Sequence, residues 1–289
     1  MGDALFMNAR TFQDRMKFIK DKQYNVIDMN EAVRSLELND INRSLVITID
    51  DGWYSAYKEM YPVLKKFNLK ATLYCDTQNL MSSLPISHVM VRYIRMLSEN
   101  KYIGNNKILD SKMIAFYKEM FTQNIDFSKK IDNLRAISQY LSVNIDSYLE
   151  SRAFSYMLPE HIREMHLGGI DIQLHTHSHT MGDFNEAMIS QEIERNRLCL
   201  CEILNCNGSD LKHFCYPSGR YSNNIDVILK KNDIESATTC ERDLACSGHS
   251  HYFLPRILDG ENLSMIEFEA ELCGFLYLFR KLRRVMRCE

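Results

Sequence analysis

The stretch Ser44-Leu45-Val46-Ile47-Thr48-Ile49-Asp50-Asp51-Gly52 decides the fold. Its apolar, β-branched run predicts a buried strand that ends abruptly at two carboxylates. A helix is predicted over residues 54–67 and a second strand over residues 71–75. Strand, helix and strand in this order predict a parallel β-sheet.

The alternation resumes in the second half of the chain. Strands are predicted at residues 170–174, 213–216, 235–239 and 253–257, and helices at 185–204 and 222–231. Polar segments directly follow several of these strands, where (β/α) barrels place their sites. We expect an α/β fold, a (β/α) barrel that is incomplete or distorted and of the seven-stranded type.

Residues 84–164 interrupt this alternation. Helices are predicted at residues 88–98, 111–121, 127–141 and 159–166. Proline is nearly absent and there is no low-complexity tract, which indicates a folded insertion rather than a linker. We expect a single domain over residues 1–289 that carries this helical insertion.

The last segment, residues 273–287, predicts an amphipathic helix. One stripe of it is apolar: Phe275, Leu278, Phe279, Leu282 and Met286. Five cations lie on the remainder: Arg280, Lys281, Arg283, Arg284 and Arg287. One interpretation is a terminal helix packed on the barrel, and the other is a helix that binds a membrane surface or a partner.

Composition and charge exclude some classes of protein. The net charge of −3 shows no basic excess, so no nucleic-acid partner is expected. No apolar run reaches the roughly 18 residues of a membrane-spanning helix. Nine scattered cysteines indicate reduced thiols, and the opening Met1-Gly2-Asp3-Ala4 lacks the pattern of a signal peptide. We therefore expect a cytoplasmic protein, which is membrane-associated under the second interpretation of the C-terminal helix.

Asp50 and Asp51 stand side by side at the end of the apolar strand. Burying both is costly unless a cation or hydrogen bonds offset their charge. A bend at Gly52 can bring both to the strand tip, so that one binds a metal ion and the other takes a proton. The alternative is a turn-forming pair that caps the following helix.

His175-Thr176-His177-Ser178-His179 follows another predicted strand. Three histidines in five residues are hard to explain by packing, and imidazole is a good ligand for divalent transition metals. His175 and His179 can reach one ion if the backbone turns, whereas His177 is expected to form a hydrogen bond or contact substrate. With Asp51, two imidazoles and one carboxylate give the open pattern of a catalytic metal site, beside which Asp50 is the general base.

These segments resemble the polysaccharide deacetylase family (NodB-like, carbohydrate esterase family four). The family motif T-F-D-D-G appears as residues 48–52, and H-[ST]-x-x-H appears as residues 175–179. Residues 214–219 are similar to its Y-P-x-G region, and residues 254–257 are similar to a late strand. The resemblance covers roughly residues 10–80 and 160–270.

The resemblance implies roles for matching residues. Asp50 matches the catalytic base, and the ligands of a metal, usually zinc, are matched by Asp51, His175 and His179. The backbone N–H of Ser218 matches the group that helps hold the oxyanion. Residues expected to shape this loop or bind substrate are Trp53, Tyr216, Pro217 and His177. For residues 216–219 the alternative is a simple turn.

The sequence departs from the family pattern in two places that bear on catalysis. The third motif commonly carries an arginine where this chain has His213 or Phe214. We expect Arg256 to reach Asp50 from another strand and orient it, the alternative being a surface ion pair. The late D-x-x-D-W and L-x-H motifs of the family are not visible, so the histidine that acts as general acid is unassigned. His249 and His251 are candidates for it. The alternative for each is a loop histidine without a role.

The expected function is a zinc-dependent hydrolase that removes an acetyl group from N-acetylated sugars of a polysaccharide or glycolipid intermediate. One alternative is a deacetylase or amidohydrolase that acts on a non-polymeric or O-acetylated substrate. Another is a non-catalytic carbohydrate-binding relative. The oligomeric state is not predicted.

Overall fold

The computed structural model describes residues 6–39, 44–82, 85–101 and 127–286, with residues 115 and 118. Helices in these ranges are α1 Ala9–Asp21, α2 Met29–Glu37, α3 Tyr61–Phe67, α4 Gln78–Ser82, α5 Ser87–Lys101, α6 Phe127–Tyr140, α7 Asp146–Glu150, α8 Pro159–Leu167, α9 Glu186–Leu204, α10 Ile225–Lys231, α11 Met265–Leu272 and α12 Phe275–Met286. Strands are β1 Asn25–Val26, β2 Ser44–Leu45, β3 Thr48–Ile49, β4 Thr72–Cys75, β5 Asp171–Leu174, β6 His213–Cys215, β7 Ser236–Arg242 and β8 Leu254–Arg256. The predicted helix at residues 111–121 lies outside the described residues, apart from positions 115 and 118.

The main sheet is parallel throughout and its strands follow chain order from β3 to β8. It curls into a half-barrel covered by helices, which confirms the predicted incomplete (β/α) barrel. Within the described residues this sheet has six strands, one fewer than the seven-stranded form. Because every strand runs in the same direction, the polar residues that follow β3, β5 and β6 meet at one edge.

The predicted strand at the start of the fold is divided between two sheets, which corrects the sequence analysis. Ser44 and Leu45 pair with β1, while Thr48 and Ile49 pair with β4. Between them, the carbonyl of Ile47 still accepts a hydrogen bond from the N–H of Thr72 at 2.8 Å. The chain therefore changes partner within the run, a change that apolar periodicity does not encode.

The predicted helix over residues 54–67 begins as a π-helical turn at Ala56–Met60 before it becomes α3. In this wide turn, the N–H of Tyr61 donates to the carbonyl of Ala56. Pro62 follows and has no N–H to donate to the preceding turn, which accounts for the irregular hydrogen bonding. The helix therefore starts close to Asp51 with an expanded first turn.

The insertion forms its own small apolar core. Buried residues of α5 and α6, including Ile94 and Leu134, pack together with the segment that follows α6. The end of the insertion then returns to the first motif: Trp53 and Tyr156 form an antiparallel bridge. The N–H of Met157 donates to the carbonyl of Gly52 at 2.8 Å. The insertion is thus tied by backbone hydrogen bonds to the residues beside Asp51.

Candidate active site

Three side chains converge at the carboxyl end of the sheet. The Nε2 atoms of His175 and His179 lie 3.1 Å and 3.3 Å from Oδ1 of Asp51. The three potential ligand atoms lie within 4.8 Å of one another. Ligand atoms bound about 2.0 Å from a tetrahedral zinc ion would lie roughly 3.3 Å apart, so the spacing fits one such ion. Residues 51, 175 and 179, expected to act together, are therefore brought together.

Hydrogen bonding fixes the imidazole of His175 in an orientation suited to metal binding. Its Nδ1–H donates to the carbonyl of Cys215 at 2.7 Å, which leaves Nε2 facing Asp51. A backbone carbonyl that accepts from the other ring nitrogen is the usual outer partner of a metal-ligating histidine. The side chain is 2% exposed, so this orientation is held by the core of the protein.

Left-handed backbone conformations turn the polar loops inward. Asp51, His179 and Ser218 have φ values of 70°, 54° and 55°, in a region that non-glycine residues rarely occupy. At Asp51 this conformation turns the chain so that the carboxylate lies across the end of the strand. Gly52, with φ 75°, continues the turn. Such strained residues concentrate at functional sites because the surrounding structure maintains them.

Asp50 faces a different partner from Asp51. Its two carboxylate oxygens each accept a hydrogen bond from the guanidinium of Arg256, both at 2.8 Å. Arg256 also donates to Oγ1 of Thr48 at 3.1 Å and to the carbonyl of Thr239 at 2.9 Å. The expected approach of Arg256 to Asp50 is therefore present, and the side chain is too buried for a surface ion pair.

The two carboxylates are both held ionised, by different neighbours. Burial would raise the pKa of Asp50, but the charge and hydrogen bonds of Arg256 outweigh it and lower the pKa. Burial likewise opposes charge on Asp51, and hydrogen bonds from His175 and His179 hold its pKa below the usual range. Asp50 is thus available as a proton acceptor while Asp51 is available as a ligand.

A buried asparagine, missed by the sequence analysis, holds the ends of two strands together. Oδ1 of Asn196 accepts from the N–H of His175 at 2.9 Å, and its Nδ2 donates to the carbonyl of Cys75 at 3.0 Å. Nδ2 also lies 3.1 Å from Oγ1 of Thr77. Asn196 could have been found, since it falls at helical spacing in the apolar stripe that runs through Ile193 and Leu200 of α9.

His177 lies outside the converging group. Its Nδ1 is 2.9 Å from Oγ1 of Thr77, and its carbonyl accepts from the N–H groups of Thr77 and Gln78. The expected hydrogen-bonding role is therefore present, while contact with substrate stays a prediction. The neighbouring Ser178 donates to the carboxylate of Glu192 from both its N–H and its hydroxyl, at 2.7 Å and 2.8 Å. Glu192 thus fixes the loop between His175 and His179.

The loop after β6 is shaped by buried residues. Tyr216 is 1% exposed and donates from its hydroxyl to the carbonyl of Tyr252 at 2.7 Å. Pro217 is also buried. These two residues shape the loop through buried contacts, and substrate binding by them stays a prediction. Ser218, at the exposed turn, remains the candidate for an N–H that binds an oxyanion.

Two other predicted residues, His249 and Trp53, have contacts away from the group of Asp51, His175 and His179. Nδ1 of His249 accepts from the N–H of Cys246 at 3.0 Å, and the imidazole lines a cavity of about 410 Å³ with Glu241 and Phe253. Nothing in the described part of the chain joins His249 to Asp51. Trp53 packs against Phe6, with ring centroids 5.6 Å apart and the ring planes tilted by 34°. Catalysis by His249 and substrate binding by Trp53 remain predictions.

Tyr156 is a further residue of the site that the sequence analysis did not identify. Its bridge to Trp53 places it next to the first motif, although it comes from the insertion. Burial, with the negative charges of Asp76 and Asp51, raises its pKa, so the hydroxyl keeps its proton. Asp76 follows β4 and is itself buried, which raises its pKa to about 6. No motif predicted either residue, since both depend on how the insertion and β4 reach the sheet edge.

The half-barrel and the Asp–His–His group at the carboxyl ends of its strands define an incomplete (β/α) barrel protein with a candidate metal site. The model of the polysaccharide deacetylase family matches residues 38–108 and 110–237. The chain belongs to this family. A curated relative, the polysaccharide deacetylase-type protein YxkH of Bacillus subtilis (strain 168), is 33% identical over 75 residues. That match spans 25% of this chain and 27% of the relative.

Solved structures support the fold independently. The Streptococcus pyogenes deacetylase PplD, in complex with acetate, is similar with a TM-score of 0.63 at 18% identity. The similarity covers 93% of this chain and 89% of that one. IcaB from Ammonifex degensii has a TM-score of 0.55 at 17% identity, over 92% of this chain and 89% of that one.

Proposed function

We propose that this protein is a zinc-dependent hydrolase that removes the acetyl group from an N-acetylated sugar of a polysaccharide or glycolipid intermediate. The observation that carries the proposal is the placement of an ionised, arginine-paired Asp50 beside the group of Asp51, His175 and His179. Arg256 pairs with Asp50 apart from the three grouped side chains, so acid–base and ligand roles are divided between adjacent residues.

Asp51, His175 and His179 would hold the metal, which when bound polarises the acetyl carbonyl and lowers the pKa of water. Asp50 accepts a proton from the attacking water, and Arg256 keeps its carboxylate in place. The backbone N–H of Ser218 donates to the oxygen that gains negative charge. When the C–N bond breaks, the amine nitrogen takes up a proton, and acetate and a free sugar amine are released.

Tyr156 gives the site a neutral hydrogen-bond donor on the side of the insertion. Its hydroxyl is held protonated close to Asp51, so it is suited to donate to the acetamido group of the substrate. His249 is the alternative group at the leaving nitrogen. Comparing Tyr156→Phe with His249→Ala separates the two, since each removes one candidate and leaves the metal group intact.

Metal content and acetate release, measured on the same preparations, test the proposal. Wild type should bind about one zinc per chain and release acetate from N-acetylglucosamine oligomers. His175→Ala should lose both. His177→Ala is the matched control within the same five residues, and it should keep the metal because His177 lies outside the converging group.

The rival functions give different results in this assay. Acetate released from O-acetylated but not N-acetylated sugars would move the protein to the ester-cleaving alternative. Zinc binding without acetate release from either substrate would favour the non-catalytic carbohydrate-binding alternative. Wild-type protein without affinity for zinc would refute the assignment of the ligands.

The cytoplasmic location is also part of the proposal. The eight cysteines in the described part of the chain are free thiols, as expected for a reducing compartment. Among the described residues, no helix is long and apolar enough to cross a membrane.

A further inference from the structure

Helix α12 exposes its apolar stripe. The first interpretation of the sequence would instead have packed this stripe on the barrel. Phe275, Leu278, Phe279 and Leu282 are 61%, 54%, 47% and 52% exposed. Isolated exposed apolar residues are common, but four on one face of one helix form a patch that marks an interaction surface. The described part of this chain therefore does not cover the stripe.

The helix is attached to the protein by its opposite side. Arg280 donates to both carboxylate oxygens of the buried Glu271, at 2.8 Å and 2.9 Å, and lies 3.7 Å from Asp243. The hydroxyl of Tyr277 lies 3.9 Å from Sγ of Cys246. These contacts hold α12 on the preceding helix and on the loop after β7, so the apolar stripe faces outward from a fixed position.

The charge around the stripe selects its partner. Residues 275–288 contain five Lys or Arg residues and no Asp or Glu, and of the five Arg280 is paired with Glu271. The whole chain, by contrast, has a net charge of −3. Lys281 and Arg283 are exposed beside the stripe, and the guanidinium of Arg283 lies 4.9 Å from the ring centroid of Phe279. An apolar face bordered by cations is the pattern of a helix that lies in the interface of an anionic bilayer.

We infer that α12 is an interfacial anchor, which inserts this apolar stripe into the surface of an anionic lipid membrane. A second copy of the chain fits less well, because symmetric pairing of the stripe would bring two strongly cationic helices together. The anchor extends the proposed function without depending on it, since the stripe, its attachment and its charge involve none of the site residues. It would hold the enzyme at the surface where lipid-linked saccharides reside.

Vesicle flotation of the full chain tests the inference. Wild type should bind vesicles of phosphatidylcholine mixed with phosphatidylglycerol about 25-fold more tightly than vesicles of phosphatidylcholine alone. The reason is that the two exposed cations, Lys281 and Arg283, each strengthen binding about fivefold. Phe279→Ser with Leu282→Ser should reduce binding to the mixed vesicles at least about tenfold. Leu167→Ser is the matched control, because Leu167 is an apolar residue that is 81% exposed on another helix.

Acetate release from soluble oligomers should be unchanged in all these variants, so loss of binding is distinguished from unfolding and from failure of the proposed activity. Equal binding of the double variant and wild type would overturn the inference. So would equal binding to neutral and anionic vesicles. Absence of vesicle binding, together with a concentration-dependent dimer that the double variant loses, would assign the stripe to a second copy instead.

Discussion

Removing Arg256 should destabilise the protein strongly, because the residue lies at the centre of a buried polar network. Arg256→Met abolishes two hydrogen bonds to Asp50 at 2.8 Å and further bonds to Thr48 and Thr239. The side chains of Arg256 and Asp50 are 11% and 30% exposed, so the carboxylate left behind has limited access to water. Breaking a buried pair in this way costs about 3–5 kcal/mol.

The assay is urea unfolding of wild type, Arg256→Met, Asp50→Asn and the double variant, in the presence of a chelator so that metal binding does not contribute. The double variant has no uncompensated charge, so its loss of stability should be smaller than the sum of the single losses by at least about 1 kcal/mol. Arg10→Met is the matched control: Arg10 is 92% exposed and 4.0 Å from Asp14, and its loss should cost less than about 1 kcal/mol.

Two outcomes would refute this reasoning. Additive losses within about 0.5 kcal/mol would show that Arg256 and Asp50 do not stabilise each other. A cost for Arg256→Met similar to that of Arg10→Met would show that the network does not form.

Three further predictions concern other residues. Asn196→Ala removes three buried hydrogen bonds and should lower the free energy of unfolding in urea by about 3 kcal/mol. The affinity for zinc should be weaker by about tenfold or more, and an unchanged affinity would show that Asn196 does not position His175. Burial lowers the pKa of His213 to about 4, so the unfolded chain takes up a proton at a higher pH than the folded protein. The free energy of unfolding should therefore fall by up to about 3 kcal/mol as the pH drops from about 6.5 to 4. His213→Gln should flatten the plot of unfolding free energy against pH in this range, and an unaltered plot would contradict the buried, neutral state of His213. Tyr156→Phe should lower kcat/KM about tenfold with zinc affinity unchanged, because it removes one hydrogen bond to substrate, and full activity would exclude that contact.

The His213 prediction rests on the neutral ring being fully bonded. Its Nε2–H donates to Oδ1 of Asn30, at 3.2 Å, and its Nδ1 accepts from the hydroxyl of Ser236, at 2.8 Å. A second ring proton would place a positive charge in the core, where water cannot solvate it and Lys212 repels it.

Much of the architecture followed from local pattern. Apolar runs that end in polar residues predicted the strands at β4, β5 and β6, and periodicity predicted α9 and three helices of the insertion close to their observed bounds. The division of residues 44–49 between two sheets was not predictable, since a strand's partner depends on distant residues. The two-residue strand β1 and the short helix α4 were likewise too short to carry a periodic pattern.

The sequence by itself determined which chemical groups this protein presents: two adjacent carboxylates at a strand end, and histidines at positions 175 and 179 that can share one ion. It did so because parallel strands bring such segments to one edge whatever the details of packing. Only the tertiary structure decided between the two interpretations of Arg256, in favour of its pairing with Asp50. It alone decided that Tyr156 comes next to the first motif from the insertion, and that Tyr216 is buried. It also decided that α12 docks through Arg280 and leaves its apolar stripe outward. These outcomes depend on contacts between residues far apart in the chain, and local periodicity carries no information about which distant surfaces will meet.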